Sequence, residues 1–384
     1  MYARELRILA DLVALNSENP PGDERLVVQY LAPILCHAGC EVQLIEGAPG
    51  RPNLVATASC GRAGPKIILN GHLDTKPAAH STGPNLWRSD PFKPLLVEER
   101  LYGLGSCDTK GGVAAQVTAL LNFLACGAQW NGSIVFQGVA DEENGSVFGT
   151  RVLFEKGLLS ADFAMVAEPT SGIVTTAQLG NCWAEVQVKG VSSHAGMPWC
   201  GKDAVRAALM LIHELDQCLA DQPRDRRFGP HPILNVGKFE GGDHPGTVPG
   251  SCFFRCAMRL LPGQRIEEYM SLLSTVAGRV AKRTGTEIDV AAFAGGGLDP
   301  NEVDVHHPMV QKLAANSADA SIVDETGVFF GGSDAQFFGK ANTPAVVLGP
   351  GSLEQAHSPN EFADIRQVQD VCSRVERFLC SALL

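Results

Sequence analysis

The chain has 384 residues, more than one hydrophobic core usually supports, so we expect two domains. Hydrophobic residues make up 45% and charged residues 19%, which is typical of globular proteins and excludes long disorder. The formal net charge is -11 and there is no lysine- and arginine-rich run, so a nucleic-acid partner is not expected.

The first residues predict a helix and not a signal peptide, because charges occur throughout and no small-residue cleavage site follows. No uncharged apolar run approaches the ~20 residues of a membrane-spanning helix, so no membrane association is expected. Twelve cysteines are scattered without a C-x-x-C pair, and several lie in apolar segments: Cys36, Cys126, Cys218 and Cys380. We therefore expect reduced, mostly buried thiols and a cytoplasmic location.

The first part of the chain alternates helices and strands. Apolar periodicity predicts helices over residues 3–15, 24–39 and 110–126, and short apolar runs predict strands over 66–72, 133–143 and 162–168. This alternation predicts an α/β domain with a mainly parallel sheet.

The pattern changes near Gln178. Strand, helix, two strands, helix and strand follow, over residues 181–190, 202–220, 233–241, 251–261, from 266, and 286–293. This order predicts a small α+β domain over 178–294, inserted into a larger domain of residues 1–177 and 295–384. Residues 295–302 are interpreted as a linker, after which a strand at 343–351 and a helix at 365–384 resume the α/β pattern.

Five potential metal ligands each lie at the end of an apolar strand or in the following loop: His72, Asp108, Glu143, Glu168 and His357. In an open α/β sheet, that edge binds ligands. Each residue alone could equally be an ordinary loop residue, and Asp108 could also begin a helix. Their shared position predicts that they cluster.

Two further acids accompany these ligands. Asp74 lies two residues after His72 and would share its face of a strand, where it could orient the imidazole. Glu142 and Glu143 are adjacent and would point in different directions, so one could bind metal while the other remains a free base. A solvated acidic turn is the alternative interpretation.

Two histidines and three carboxylates suit zinc or a similar divalent ion. Two such ions, about 3.5–4 Å apart, would share a carboxylate and a water that ionises near pH ~7. There is no G-x-x-x-x-G-K-[ST] loop and no G-x-S-x-G motif, so phosphoryl transfer and a nucleophilic serine are disfavoured.

A series of motifs runs nearly the whole length of the chain: LVALNSENPPGDE, NGHLDT, WRSDPF, LYGLGSCDTKGG, ADEENGS, AEPT, GVSSHAGMP, NVGKFEGG, RLLPG, GGSDAQFF and GPGSLEQAHSPNEF. With them, the chain resembles the co-catalytic zinc family of acetylornithine deacetylase, succinyl-diaminopimelate desuccinylase, aminoacylase-1 and carboxypeptidase G. The resemblance implies a phosphorylase/hydrolase-like catalytic domain with a mainly parallel sheet. It also implies an inserted ferredoxin-like lid domain that forms a homodimer.

The resemblance assigns roles to the metal ligands. His72 and Glu168 would hold one ion, Glu143 and His357 the other, and Asp108 would bridge both. It also implies a cis peptide bond between Asp108 and Thr109.

Further roles follow from the same resemblance. Asp74 would orient His72, Glu142 would be the general base and later the acid, and His194 would stabilise the oxyanion. Arg259 would bind the substrate carboxylate, with Asn235 and Gly332 as further substrate-binding residues. The alternatives for His194 and Arg259 are an exposed loop histidine and an exposed strand arginine.

The sequence departs from common family residues at Leu104, Thr109, Gly246, Ala257 and Gln336. The acyl group and the amine side chain of the substrate are therefore open. We expect hydrolysis of an N-acyl amino acid with zinc, or with cobalt or manganese. The alternatives are a metallo-dipeptidase or carboxypeptidase, a non-catalytic homologue, and a purely structural metal protein.

Overall fold

The structure is a computed structural model that describes residues 3–78, 86–229, 233–316 and 327–384. It divides into a larger unit, Met1–Ala177 with Glu302–Leu384, and a smaller unit, Gln178–Asn301. The predicted second boundary, after residue 294, is corrected to Asn301. The supposed glycine linker is instead the end of a strand, Glu287–Leu298, that pairs with the neighbouring strand as far as Leu298.

The helices and strands are numbered along the chain. Up to Gln178 they are α1 (Arg4–Ala14), α2 (Arg25–His37), β1 (Glu41–Ala48), β2 (Arg51–Ser59), β3 (Lys66–His72), β4 (Leu95–Val97), β5 (Arg100–Tyr102), α3 (Gly111–Ala125), β6 (Ser133–Val139), α4 (Thr150–Glu155), β7 (Phe163–Val166) and β8 (Thr175–Gln178). The smaller unit contains β9 (Gly180–Lys189), α5 (Ala204–Ala220), β10 (Leu234–Gly241), β11 (Ser251–Leu260), α6 (Ile266–Thr284) and β12 (Glu287–Leu298). The chain closes with β13 (Asn301–Glu302), α7 (Pro308–Ala315), β14 (Gly327–Phe329), α8 (Ala335–Lys340), β15 (Ala345–Val347), β16 (Phe362–Asp364) and α9 (Ile365–Leu383).

The larger unit is built on a mixed sheet in the order β1-β2-β6-β3-β7-β15-β8-β13, with β14 paired to β8. Its central strands β6, β3, β7 and β15 are parallel, as predicted. The flanking pairs β1–β2, β2–β6 and β15–β8 are antiparallel. Strand β1 was not predicted, because its side chains are exposed or only partly buried and it has no apolar face to recognise.

Both faces of this sheet are covered, which explains why β3 is a continuous apolar run. Ile67 and Leu69 pack into a core with α1, α2, α3 and α9, whereas Ile68 packs into a second core with Leu153 and Phe338 on the other face. The buried strands fix the position of the residues that follow their carboxyl ends.

The smaller unit contains an antiparallel sheet in the order β10-β11-β9-β12. Alternate residues of β11, among them Phe254 and Met258, are buried in one core with Leu211 of α5 and Leu273 of α6. The two helices therefore cover one face of this sheet, and the residues between the buried ones lie on the other face.

Within the described ranges, no helix combines the length and the apolar character needed to cross a membrane. All twelve cysteines are unpaired. The expectation of mostly buried thiols is wrong for Cys36 and Cys126, which are exposed, and for Cys218 and Cys380, which are only partly buried. An apolar sequence neighbourhood does not ensure burial, because an amphipathic helix always exposes one face.

Candidate metal centre

Three neighbouring parallel strands deliver their acidic and histidine residues to one edge of the large sheet. Strand β3 ends at His72, β6 ends shortly before the turn Glu142–Asn144, and β7 is followed by Glu168. Because the strands are parallel and adjacent, their carboxyl ends meet. The predicted clustering of these side chains is what the structure shows.

Asp108 lies between two histidines. Its Oδ1 is 3.1 Å from Nε2 of His72, and its Oδ2 is 3.3 Å from Nε2 of His357. One carboxylate thus presents a different oxygen to each imidazole. This arrangement suits a carboxylate that bridges two cations.

The remaining two carboxylates lie beside one histidine each. Nε2 of His357 is 3.0 Å from Oε2 of Glu143, and Nε2 of His72 is 4.0 Å from Oε1 of Glu168. That oxygen of Glu168 is buried and has no hydrogen-bond donor within the described ranges. A buried carboxylate without a donor is costly, so the site fits a metal ion that would bind this oxygen.

The pKa values reflect this crowding of charges. Burial raises the pKa of Glu168 well above its usual value, and the neighbouring Glu142 and Asp108 raise it further. Burial would lower the pKa of His72, but its hydrogen bond with Asp108 and nearby carboxylates raise it well above its usual value. At His357, burial also lowers the pKa, but contacts with Asp108 and Glu143 outweigh it and raise the pKa to about 10. The carboxylates thus create a strong local demand for positive charge.

The Asp74 carboxylate lies near Nδ1 of His72, as predicted, but the closer contact is with the main chain. Nδ1 of His72 is 2.9 Å from the main-chain oxygen of Asp74, and 3.7 Å from its carboxylate. The same-face rule does not apply here, because β3 ends at His72. The carboxylate instead accepts hydrogen bonds from the amides of Glu142, at 3.1 Å, and Glu143, at 3.3 Å. Asp74 therefore orients both the histidine and the acidic turn.

The Glu142 carboxylate forms no hydrogen bond or ion pair among the described residues. It lies within 4.8 Å of ligand atoms of His72 and Glu168, so these three residues form a group that could itself hold a metal ion. Burial raises the pKa of Glu142 well above the usual value for glutamate. A general base needs a carboxylate that other groups do not engage, so Glu142 stays the predicted candidate for that role.

A buried polar network behind the centre was not predicted from the sequence. Asn19 donates to Asp74 at 2.8 Å and to Asp141 at 3.0 Å. Arg51 forms an ion pair with Asp141 at 3.2 Å and a bidentate one with Glu24. Asn19 and Glu24 lie in the LVALNSENPPGDE motif, but nothing in the motif itself indicates which strand end they contact.

Replacing Asn19 with leucine should therefore weaken the centre without touching it. Two buried carboxylates, Asp74 and Asp141, would lose a donor, and Asn144 in the turn that carries Glu142 would lose the acceptor of its side-chain amide. We expect a loss of about 10- to 100-fold in metal affinity or kcat, as for other residues that support metal ligands. Metal titration and steady-state kinetics measure it.

The matched control is Asn122→Leu, which removes an asparagine hydrogen-bonded to Arg4 and Glu376 in the same unit. It should leave metal affinity and kcat unchanged. Equal effects of the two substitutions would show that Asn19 contributes only to general stability.

A second unpredicted residue, Glu361, holds the loop of the bridging ligand. Its carboxylate accepts hydrogen bonds from the amides of Gly105, Cys107 and Asp108, at 2.9, 2.8 and 2.9 Å. Burial is the largest influence on this group and raises its pKa to about 8.

The Asp108–Thr109 peptide bond is cis, as predicted.

The remaining predicted residues are not close to the ligand cluster in sequence. Gly332 lies in the loop between β14 and α8 of the larger unit. In the smaller unit, His194 is exposed in a loop, where its Nδ1 accepts a hydrogen bond from the amide of Gly196. Asn235 pairs with Ala257 on the neighbouring strand, which places it on the same face as Arg259.

This face of β11 is the one not covered by the helices. Burial lowers the pKa of Arg259 from its usual value. The roles of His194, Asn235 and Arg259 in the reaction stay predictions.

Sequence and structure comparisons give a consistent result. Residues 68–381 match peptidase family M20/M25/M40. The chain is 30% identical over 380 residues to the acetylornithine deacetylase of Proteus mirabilis, covering 95% of this chain and 92% of that protein. It is 29% identical over 355 residues to the acetylornithine deacetylase of Erwinia tasmaniensis, covering 88% and 86%.

Solved structures share the fold. A tripeptidase from Staphylococcus aureus superposes with a TM-score of 0.80 at 22% identity, over 99% of this chain and 98% of that one. An M20 family metallo-carboxypeptidase from Sulfolobus solfataricus has a TM-score of 0.78 at 18% identity, over 98% of this chain and 99% of that one. A dinuclear metal-binding M20 peptidase from Bacillus subtilis has a TM-score of 0.71 at 15% identity, over 99% of this chain and 98% of that one.

Proposed function

Because the chain belongs to peptidase family M20/M25/M40, it is a metal-dependent amidohydrolase, and we propose that it hydrolyses the amide bond of an N-acyl amino acid. One observation carries the proposal: Asp108 presents one oxygen to each of two histidines, while the nearby Glu142 carboxylate forms no hydrogen bond or ion pair among the described residues. The names of the relatives that match over most of the chain support an N-acyl amino acid as substrate.

We propose that His72 and Glu168 hold one divalent ion, Glu143 and His357 a second, and Asp108 both. Zinc fits this donor set, with cobalt or manganese as alternatives. When bound, the ions would polarise the amide carbonyl and acidify the attacking water.

The protein groups then move the proton. Glu142 would accept it from the attacking water and donate it to the nitrogen of the departing amine. Asp74 would keep Glu142 in place through the amide hydrogen bond already described. In the smaller unit, His194 would stabilise the oxyanion and Arg259 would bind the substrate carboxylate. Asn235 of the smaller unit and Gly332 of the larger unit would be further substrate-binding residues.

The smaller unit would act as a ferredoxin-like lid and as the dimer interface. The strand order β10-β11-β9-β12, with both helices on one face, supports the ferredoxin-like part of this proposal. We further propose a cytoplasmic homodimer, as predicted from the sequence. Its mass in solution tests the dimer directly.

The experiment is a hydrolysis assay on N-acetyl and N-succinyl amino acids and on dipeptides, with zinc, cobalt and manganese in turn. We expect hydrolysis of N-acyl amino acids that a chelator abolishes and that added metal restores. Hydrolysis that survives complete removal of metal would contradict the proposal.

A peptidase is the second candidate, because two of the solved structures with the same fold are peptidases, one a tripeptidase and the other a carboxypeptidase. The same centre would serve both reactions, since only the pocket has to differ. A higher kcat/KM for dipeptides than for every N-acyl amino acid in the same assay would favour this candidate.

A further inference from the structure

Lys76 lies in a pocket next to the metal centre, within the larger unit. Metal-ligating side chains, among them Asp108, Glu143 and His357, form part of its wall, and Trp87 and Leu104 form an apolar part. Of the pocket-lining residues that the structure describes, Lys76 is the one lysine or arginine. None of the roles given above uses it.

The main chain fixes this lysine at the pocket wall. Its amide donates to Oε1 of Glu143 at 3.2 Å, and its ammonium group donates to the main-chain oxygen of Glu143 and lies 3.4 Å from Oε2. Its side chain is 34% exposed, so its contacts with Glu143 do not bury it.

The neighbouring wall is also anchored. The amide of Ala78 donates to Glu18 at 2.7 Å, and the indole of Trp87 donates to the main-chain oxygen of Ala78 at 3.0 Å. The lysine therefore belongs to an ordered surface of the pocket.

Chemistry limits what such a lysine can do there. An ammonium group has three donors, and the contacts with Glu143 leave capacity for an incoming acceptor. Cations bound by Glu143 would repel the ammonium group, whereas an anionic substrate group in the pocket would attract it. A positively charged substrate side chain would be repelled.

We propose that Lys76 binds a carboxylate of the substrate other than the α-carboxylate, so that the enzyme acts on dicarboxylic N-acyl amino acids. This inference rests on the proposed function and narrows its substrate class. The α-carboxylate is common to all N-acyl amino acids, so selection by Lys76 requires a second acidic group. That group lies either on the acyl chain or on the amine side chain.

The test uses Lys76→Met, which keeps an unbranched side chain of nearly the same length but removes the charge, and Lys76→Arg, which keeps the charge. Lys93→Met is the matched control, since Lys93 forms an exposed ion pair with Asp90 at 3.3 Å in the same unit. The substrates are N-acetylalanine, N-acetylglutamate, N-succinylalanine and N-acetylornithine. The two dicarboxylic substrates distinguish the two positions of the second acidic group.

For the wild type, we expect the highest kcat/KM with one of the two dicarboxylic substrates. Lys76→Met should raise KM for that substrate by about 10- to 100-fold, as for loss of a charged hydrogen bond. The same substitution should change KM for N-acetylalanine by no more than about twofold, as the control should. Lys76→Arg should retain most of the preference. Calorimetric titration of the zinc-loaded enzyme with succinate or glutamate should show the same loss of affinity without turnover.

An equal loss for all substrates, or a change in metal affinity alone, would overturn the inference, because Lys76 would then only balance the charge of Glu143. A preference for N-acetylalanine or N-acetylornithine by the wild type would overturn it as well, while leaving the proposed function intact. Absence of hydrolysis of every N-acyl amino acid would overturn the proposed function and the inference together.

Discussion

Replacing Glu142 with glutamine is expected to lower kcat by about two to four orders of magnitude, the usual contribution of a general acid–base residue. Glutamine has nearly the same shape, but its amide cannot take a proton from water or return it to the leaving amine. Because the Glu142 carboxylate forms no hydrogen bond or ion pair among the described residues, we expect it not to hold the metal, and metal content should remain at the wild-type level. Steady-state kinetics and elemental analysis of the same preparation measure both.

The matched control is Glu155→Gln, an exposed glutamate at the end of α4 in the same unit. It should leave kcat within about twofold of the wild type. Activity retained by Glu142→Gln would remove this residue from the mechanism. Loss of metal together with activity would instead identify Glu142 as a ligand.

Replacing Asp108 with asparagine is expected to abolish the paired metal site. The amide presents one oxygen and one NH₂ group, so it cannot offer an acceptor to each of two cations. The loss of metal affinity should exceed the roughly 10- to 100-fold seen when a residue that only supports a ligand is removed. Activity should fall with it, even at the highest metal concentration that leaves the wild type fully active.

Thermal unfolding in the presence of a chelator separates this effect from misfolding. Under that condition, neither protein holds metal, and Asp108→Asn should still unfold in a cooperative transition, which shows that the variant is folded. A variant that binds two ions with unchanged affinity would exclude Asp108 as the bridge.

The clustering of the predicted metal ligands could be foreseen because it follows from strand direction. Apolar runs identify β3, β6 and β7, and polar residues after buried parallel strands meet at one edge. His357 was placed on the same ground, since its loop follows the apolar run that forms β15. The cis bond at Asp108, by contrast, came from the resemblance and not from any local pattern.

Other features depend on contacts that no local pattern encodes. Glu361 contacts the loop of Asp108 across 253 positions of sequence, and Asn19 contacts Asp141 across 122. The exact end of β3 decides whether the carboxylate or the main-chain oxygen of Asp74 faces His72. Strand boundaries are the least certain part of a sequence-based prediction, so this detail required coordinates.

An anomalous difference map from crystals grown with zinc measures the ligand arrangement directly. Two peaks should lie about 3.5–4 Å apart. One should have His72 and Glu168 at coordination distance and the other Glu143 and His357, with Asp108 reaching both and Glu142 neither. A single peak, or a peak coordinated by Glu142, would contradict the paired centre with a free base.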